Sequence, residues 1–566
     1  VTRARLGALT VLVVVIGAIG SCSSGCDCGP PLAARPDREA APEVLLFRLP
    51  PMSFEQALAV PQIRALARAG GAALLAGGTD GASLRASVAG ADTYILTQPA
   101  SQLGRAIEAR VADAEARPIL VVVTSLAPTP AMEAAKDELH PVVMARGSPD
   151  ALFPDVGRAW SLTSDSTRRS GVVVASDVIA TIGAFLGRPR ATSGRPIHVD
   201  DAEAPFSLHV RYLEQRRLTV PLGTAAALYV VLAGLAAAVA AALRGRIDGR
   251  IRRALGWAAL AVPALAVALL AVGHLADLSY ASVVPFVLLV AVLGTLAFSP
   301  LERTDLTLVP AGIGVVVLAF FAVEAMLGWT AMLTPLLGGS ELDGGRFYGL
   351  PNVAVGLLIG ASVWVAQRLS TNAGTVVIVL VGLFAGLPLV GANLGAGVSL
   401  FATAGLWFAV RERARIGLAR GSMFALGVTV VGVVVLLVAH AVSPVATHVT
   451  AFERSSGGVA GVAGKLWSRL EVGFDLIARS PAAIIPVVGL PVALLVAWRA
   501  PGAIGSAFRR WPAWRDATLV ILLGGIVAYL ANDSGPAAAG LAFGLGLGGM
   551  LGVSLLAPPG KMTSDG

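Results

Sequence analysis

The sequence predicts an α/β extracytoplasmic domain with a mostly parallel sheet, followed by an all-α transmembrane bundle of about eleven helices. Three observations predict it. Of 566 residues, 14% are charged and 55% hydrophobic, whereas soluble domains carry roughly 25% charged residues. From residue 218 onward, apolar segments recur at about the length needed to cross hydrocarbon. Residues 43–215 instead alternate β-branched runs with helix-periodic stretches, the pattern of a sheet covered by helices.

The chain opens with residues 1–28, which read as a signal peptide or N-terminal anchor. Arg3 and Arg5 precede an apolar run from Leu6 to Ile19 that is short for a spanning helix. Ile19-Gly20-Ser21-Cys22 is similar to a bacterial lipobox, which makes Cys22 a candidate lipidation site. An ordinary signal peptide and an uncleaved anchor are the alternatives, and all three place the next segment outside the cytoplasm. Cys22, Cys26 and Cys28 are the only cysteines, and no metal-ligand spacing extends beyond them. Residues 29–42, rich in Pro, Ala and charge, read as a linker.

In the α/β domain, residues 43–215, Glu43 to Leu49 reads as a buried strand and Ser53 to Gly70 as a helix with Phe54, Ala57, Leu58, Ile63 and Leu66 on its apolar side. Asp92 to Leu96 is a short strand, and Gln102 to Ala116 is helical. Pro118 to Thr124 is β-branched and reads as a central strand, Pro141 to Ala145 as another, and Ser176 to Leu186 as a helix.

This order of features resembles the alkaline phosphatase superfamily in a reduced form. Pro61-Gln62-Ile63-Arg64-Ala65-Leu66-Ala67-Arg68-Ala69-Gly70 looks like that family's early helix, Val123-Thr124-Ser125 falls where the family has a late metal-binding turn, and Ser176-Asp177-Val178-Ile179-Ala180-Thr181 looks like a later helix start. The resemblance implies a three-layer fold. It also implies two metals held by Asp and His clusters around a Thr or Ser nucleophile, and here the sequence departs from it. Arg48-Leu49-Pro50 stands where an Asp ends the first strand, and Ser125-Leu126-Ala127-Pro128 replaces the Asp and His of the late turn. A two-metal centre needs several carboxylate and imidazole ligands, and His140, His198 and His209 are the domain's only histidines. The expectation is a degenerate domain with no metal or other cofactor, in which Thr79 and Asp80 are the nearest approach to a nucleophile region. Arg168-Arg169 suits either an anion or an ordinary ion-paired loop.

The membrane domain, residues 218–558, has apolar segments near 219–243, 254–273, 280–299, 307–329, 351–368, 373–391, 393–410, 421–442, 481–499, 516–532 and 535–557. The net charge of +8 is carried by arginines in short loops, notably 244–253, 411–420 and 499–515. Alternation through eleven helices puts these loops on one side, which the positive-inside rule makes cytoplasmic, together with the tail 559–566. Such arginines are topology signals, so no nucleic-acid partner is expected. Residues near 458–479 have helical amphipathicity and read as a helix on the outer surface, with a helix packed against the bundle as the alternative.

Ionisable and polar groups at membrane depth are expensive and informative. The same alternation places Glu324, Arg346, His440 and Asp533 at the outer ends of helices, as candidate catalytic groups, with Tyr348, Asn352, Asn393 and Asn532 as candidate substrate contacts. Arg suits bidentate phosphate contact, and His and Glu suit proton transfer. Alternatively, Asn and Asp at these positions simply cap helices. Segments 344–352, 391–395 and 532–535 also resemble actinobacterial membrane proteins that pair a phosphatase-like outer domain with a multi-helix bundle. The functional expectation is a multi-pass plasma-membrane protein of the cell envelope. Its partners would be the lipid bilayer and a lipid-linked or phosphorylated envelope substrate handled at the outer face. A transporter or lipid flippase and a non-catalytic assembly scaffold are the alternatives.

Overall fold

Strands form where β-branched and apolar residues run together. Ile119–Ser125 (ILVVVTS) is buried along its whole length and lies inside an eight-stranded sheet. The computed structural model describes residues 42–76, 92–114, 118–135, 137–154, 157–188, 194–203, 205–243, 246–338, 340, 342, 347–443, 501–532 and 535–557. Cys22, the linker, Thr79, Asp80, Glu341, Asp343, Arg346, Asp533, the 458–479 and 481–499 segments and the tail lie outside the described residues.

The α/β domain runs β1 (Glu43–Leu49), α1 (Phe54–Ala59), α2 (Pro61–Ala69), β2 (Gly71–Ala76), β3 (Asp92–Ile95), α3 (Ala100–Ala112), β4 (Ile119–Ser125), α4 (Pro130–Ala135), β5 (His140–Gly147), β6 (Trp160–Ser164), β7 (Val172–Val174), α5 (Ala175–Phe185) and β8 (Ile197–Glu203). The strand order is β3-β1-β4-β5-β2-β6-β8, with β7 also pairing β2. Side chains alternate across β1: Leu45, Phe47 and Leu49 join α1, α2 and α3 in one core, and Val44 and Leu46 join α5 in the other. The domain is therefore three-layered.

The sheet is mixed, which corrects the expectation of a mostly parallel one. β1 is parallel to β3 and β4, and β2 to β6 and β7, but β5 runs antiparallel to both β2 and β4, and β8 antiparallel to β6. Geometry explains β5. A parallel return needs an element that spans the sheet. The six-residue α4 covers about 9 Å, and the seven-residue β4 about 23 Å. The chain turns back at the same end and pairs antiparallel.

The helical part comprises α6 (Phe206–Ala242), α7 (Gly249–Leu260), α8 (Val262–Ala271), α9 (Tyr280–Leu296), α10 (Leu308–Met326), α11 (Ala354–Ala366), α12 (Thr371–Gly386), α13 (Leu394–Ala441), α14 (Pro501–Arg510), α15 (Pro512–Ala531) and α16 (Gly535–Leu556). Among the described residues, six helices are long and apolar enough to cross a membrane, or seven if α7 and α8, bent by 42°, form one span. This is the fold of a multi-pass membrane protein. α13 breaks at Gly417, whose φ of 75° and ψ of 166° leave helical space. That break falls in the arginine-rich stretch where a loop is expected. α11 and α16 are buried throughout and form the centre of the helical part.

Candidate functional site

The α/β domain meets the helices through the loops at one end of its sheet. α6 carries the chain across. Its first turns pack Tyr212 into the domain core, ahead of the apolar stretch that begins near residue 219. Within those turns His209, fully buried, donates from Nδ1 to Glu55 (2.6 Å) and from Nε2 to Asp137 (2.9 Å). Burial works against a charged ring, but the hydrogen bonds and charges of Asp137 and Glu55 outweigh it and push the imidazole up to about 9. Burial also works against the Glu55 carboxylate, yet the His209 hydrogen bond and charge hold it below its ordinary value. The His209 cation locks α6 to α1 and to the loop before β5.

A second lock comes from the β6–β7 loop. Arg169 donates from Nε to the Phe347 carbonyl (2.8 Å), from Nη1 to Gly328 and from Nη2 to Trp329 (3.2 Å). Gly328 and Trp329 follow the C-terminus of α10, where carbonyls lack helical partners and a cation is favoured. Arg168 lies over the Tyr348 ring at 4.0 Å. Leu342 and Phe347 join the domain core itself. The Arg168-Arg169 pair thus fastens the domain to the helices. Arg168, Trp329 and Ala392 are the positive-φ non-glycine residues among those described, and all three lie at or beside this joint. Such conformations cost about 1–3 kcal/mol each and persist only where surroundings enforce them.

Glu324, buried near the end of α10, hydrogen-bonds His274 Nε2 and accepts from the Ala331 backbone (3.1 Å). His274 closes the short 3-10 turn after α8 and keeps 38% of its side chain exposed. Arg211, two residues beyond His209 and turned to another side of α6, donates to the Gly273 carbonyl and to Thr334. A guanidinium therefore stands beside an acid–base pair at the domain-proximal end of the helices. Because Glu324 engages Nε2, His274 Nδ1 is the ring nitrogen left for a ligand.

The other predicted residues that lie among the described ones have partners of their own. Asn393 caps α13 through the Ala396 backbone (3.0 Å), and its amide donates to Leu350 and to Asn352 (both 3.0 Å). The Asn532 amide donates to Ser399 (3.2 Å) and Ala528 (3.0 Å). His440 donates to the Gly386 carbonyl at the end of α12 (3.0 Å). These bonds tie helix ends together. Tyr348 lies under Arg168 in the joint.

At the end of the sheet that carries Ser125 and Asp177, the polar side chains secure the chain. Ser125 donates to the Pro50 carbonyl (2.9 Å) and accepts from the Met52 backbone (3.2 Å). Asp177 is fully buried, accepting from Ser164 (2.6 Å) and from the backbones of Val174 (3.2 Å) and Arg195 (2.9 Å). Burial raises its pKa, with those bonds opposing. His140 pairs with Leu75 on one side of β2, and His198 with Thr163 beyond it. Three strand spacings put them roughly 14 Å apart. Among the described residues no group of three or more His, Cys, Asp or Glu side chains could hold a metal ion.

His209, Arg211 and His274 are the functional-site residues that sequence reasoning misses. His209 finds its partners 154 and 72 positions away, which no local pattern reveals. His274 carries the same signal as Glu324, an ionisable group at the end of an apolar segment. The chain matches no known family model, no curated protein and no solved structure.

Proposed function

We propose that this is an integral membrane protein of the cell envelope that handles a lipid-linked or phosphate-bearing component at the outer membrane face, beneath a non-catalytic, phosphatase-like α/β domain. The observation that carries this reading is the His274–Glu324 pair with Arg211 beside it. Ionisable groups at membrane depth are rarely kept without use. A guanidinium binds phosphate, and a partly exposed imidazole backed by a carboxylate moves a proton. The Arg211 Nε finds no partner among the described residues.

Farnesyl phosphate is a soluble probe of that chemistry. Titrated into the detergent-solubilised full chain, it is expected to shift the His274 ring-nitrogen resonances. Its affinity should fall at least ten-fold in His274→Ala and in Arg211→Gln. Unchanged affinity in both variants would sink the reading. A scaffold is the second reading, favoured by Asn393, Asn532, His440 and Arg169 all being engaged within the chain.

A further inference from the structure

The α6, α7–α8 and α9 helices part and leave a cleft of about 460 Å³, within the range of ligand-sized pockets. Leu222 and Tyr229 of α6, Trp257 of α7, Leu265 of α8, and Val283 and Leu296 of α9 mark its extent. Its two hydroxyls are engaged: Tyr229 donates to the Ala258 carbonyl (2.8 Å), and Thr295 donates to Ala291 (2.6 Å). Apart from the Trp257 indole, the lining side chains offer a ligand hydrocarbon. Leu288 and Val292 on its rim are more than half exposed, so the cleft opens sideways. From Val283 to Leu296 it runs about 20 Å along α9, longer than one bilayer leaflet of about 15 Å.

The end of the cleft away from the α/β domain is basic. Arg253 and Arg250 precede Trp257 on α7 by one and two turns, on the face that carries Trp257 and Ala261 into the cleft. Arg246, Arg252 and Arg303 lie at the same end. Among the described residues, two carboxylates stand with them. Asp248 is occupied in capping α7, accepting from the Arg250 (2.7 Å) and Ile251 (3.4 Å) backbones. Glu302 bonds Arg253 at 2.8 Å and ties α7 to the turn after α9. Asp305, beyond Arg303, is taken up by Arg368 at 2.7 Å. Five guanidinium groups against two acids leave an excess of positive charge over the mouth of a hydrocarbon cleft. Basic pockets between transmembrane helices are suited to anionic headgroups.

We propose that this cleft holds one acyl chain of an anionic phospholipid whose headgroup rests on Arg250 and Arg253 at the membrane surface distal to the α/β domain. The site is separate from the His274 pair and does not depend on the function proposed for it. Electroneutral lipids lack the charge to match the mouth, and a soluble anion lacks the chain to fill the cleft.

Trp257 reports on the cleft, with Trp257→Phe supplying the background of the other tryptophans. The full chain in detergent is titrated with phosphatidylglycerol or phosphatidylcholine carrying brominated acyl chains. Quenching of the Trp257 contribution by phosphatidylglycerol is expected at a concentration at least five-fold lower. Val292→Phe, which fills the cleft from an exposed rim position, should abolish quenching by both lipids. Arg250→Gln with Arg253→Gln should remove the preference and leave the weaker quenching. Equal quenching by both lipids in the unaltered chain would mean ordinary annular contact and overturn the proposal. So would a Val292→Phe variant that quenches as before.

Discussion

α16 and the stretch Tyr280–Arg303, which is α9 with the turn after it, are both long and apolar enough to span a membrane, yet α16 is wholly buried in the protein and the other is 17% buried. The difference lies in their small residues. α16 (GPAAAGLAFGLGLGGMLGVSLL) is built on Gly and Ala, which let neighbouring backbones approach. α9 carries Val and Leu that turn to lipid. Hydropathy thus says that a helix enters the membrane, and side-chain size says whether protein or lipid surrounds it there. The two regions are also held differently. Close approach of small residues joins α11 to α16, whereas α6 meets the α/β domain through His209 and the turn after α8 meets α10 through His274 and Glu324.

The sharpest way to separate the two is to break a lock. His209→Ala strands the buried Asp137 carboxylate, and removing one partner of a buried pair costs about 3–5 kcal/mol. The α/β domain should then become protease-sensitive while the α11–α16 centre stays resistant; equal loss in both would erase the distinction. The same lock has a pH signature. The His209 pKa is raised from 6.5 to about 9. Its contribution is therefore complete below pH 6.5 and is lost as pH rises through about 9. The shift corresponds to about 3 kcal/mol. Thermal melting of the domain should fall between pH 7 and pH 10, and His209→Gln should flatten that slope.

One substitution placed in both regions gives a smaller, matched contrast. A Cβ on Gly356 of α11 would lie 2.1 Å from the Ala538 carbonyl of α16, and backbone cannot yield cheaply. Gly356→Ala should cost about 1–3 kcal/mol, read as a lower melting temperature. A Cβ on Gly294 of α9 meets only the Ala264 methyl, at 3.4 Å. Gly294→Ala should be neutral or stabilise by up to about 1 kcal/mol. Similar losses at both glycines would show that packing governs the two sides alike.

Much of the fold is legible in the residues. ILVVVTS could hardly be anything but an inner strand, and apolar lengths near twenty mark most of the membrane helices. The strand Gly71–Ala76 (GAALLA) escapes because Gly and Ala carry little β signal, and Ile197–Glu203 (IHVDDAE) because its acids read as loop. The site is half legible. Glu324 stands out through its depth, whereas its partner His274 does not, and Arg168-Arg169 suits an anion or an ion-paired loop alike until the carbonyls beyond α10 come into view. Pairings across 50 to 178 positions are products of the fold and leave no local trace.

The length of α6 has a further consequence. Its 37 unbroken residues measure about 55 Å, and hydrocarbon takes up about 30 Å of that. The first turns of α6 pack Leu208, Tyr212 and Leu213 against the α/β domain core, which also takes in Leu342 and Phe347. The domain is thus joined to the helix ends by shared core and hydrogen bonds, not by a free tether. Any tilt of the domain would carry α6 and the loop after α10 with it.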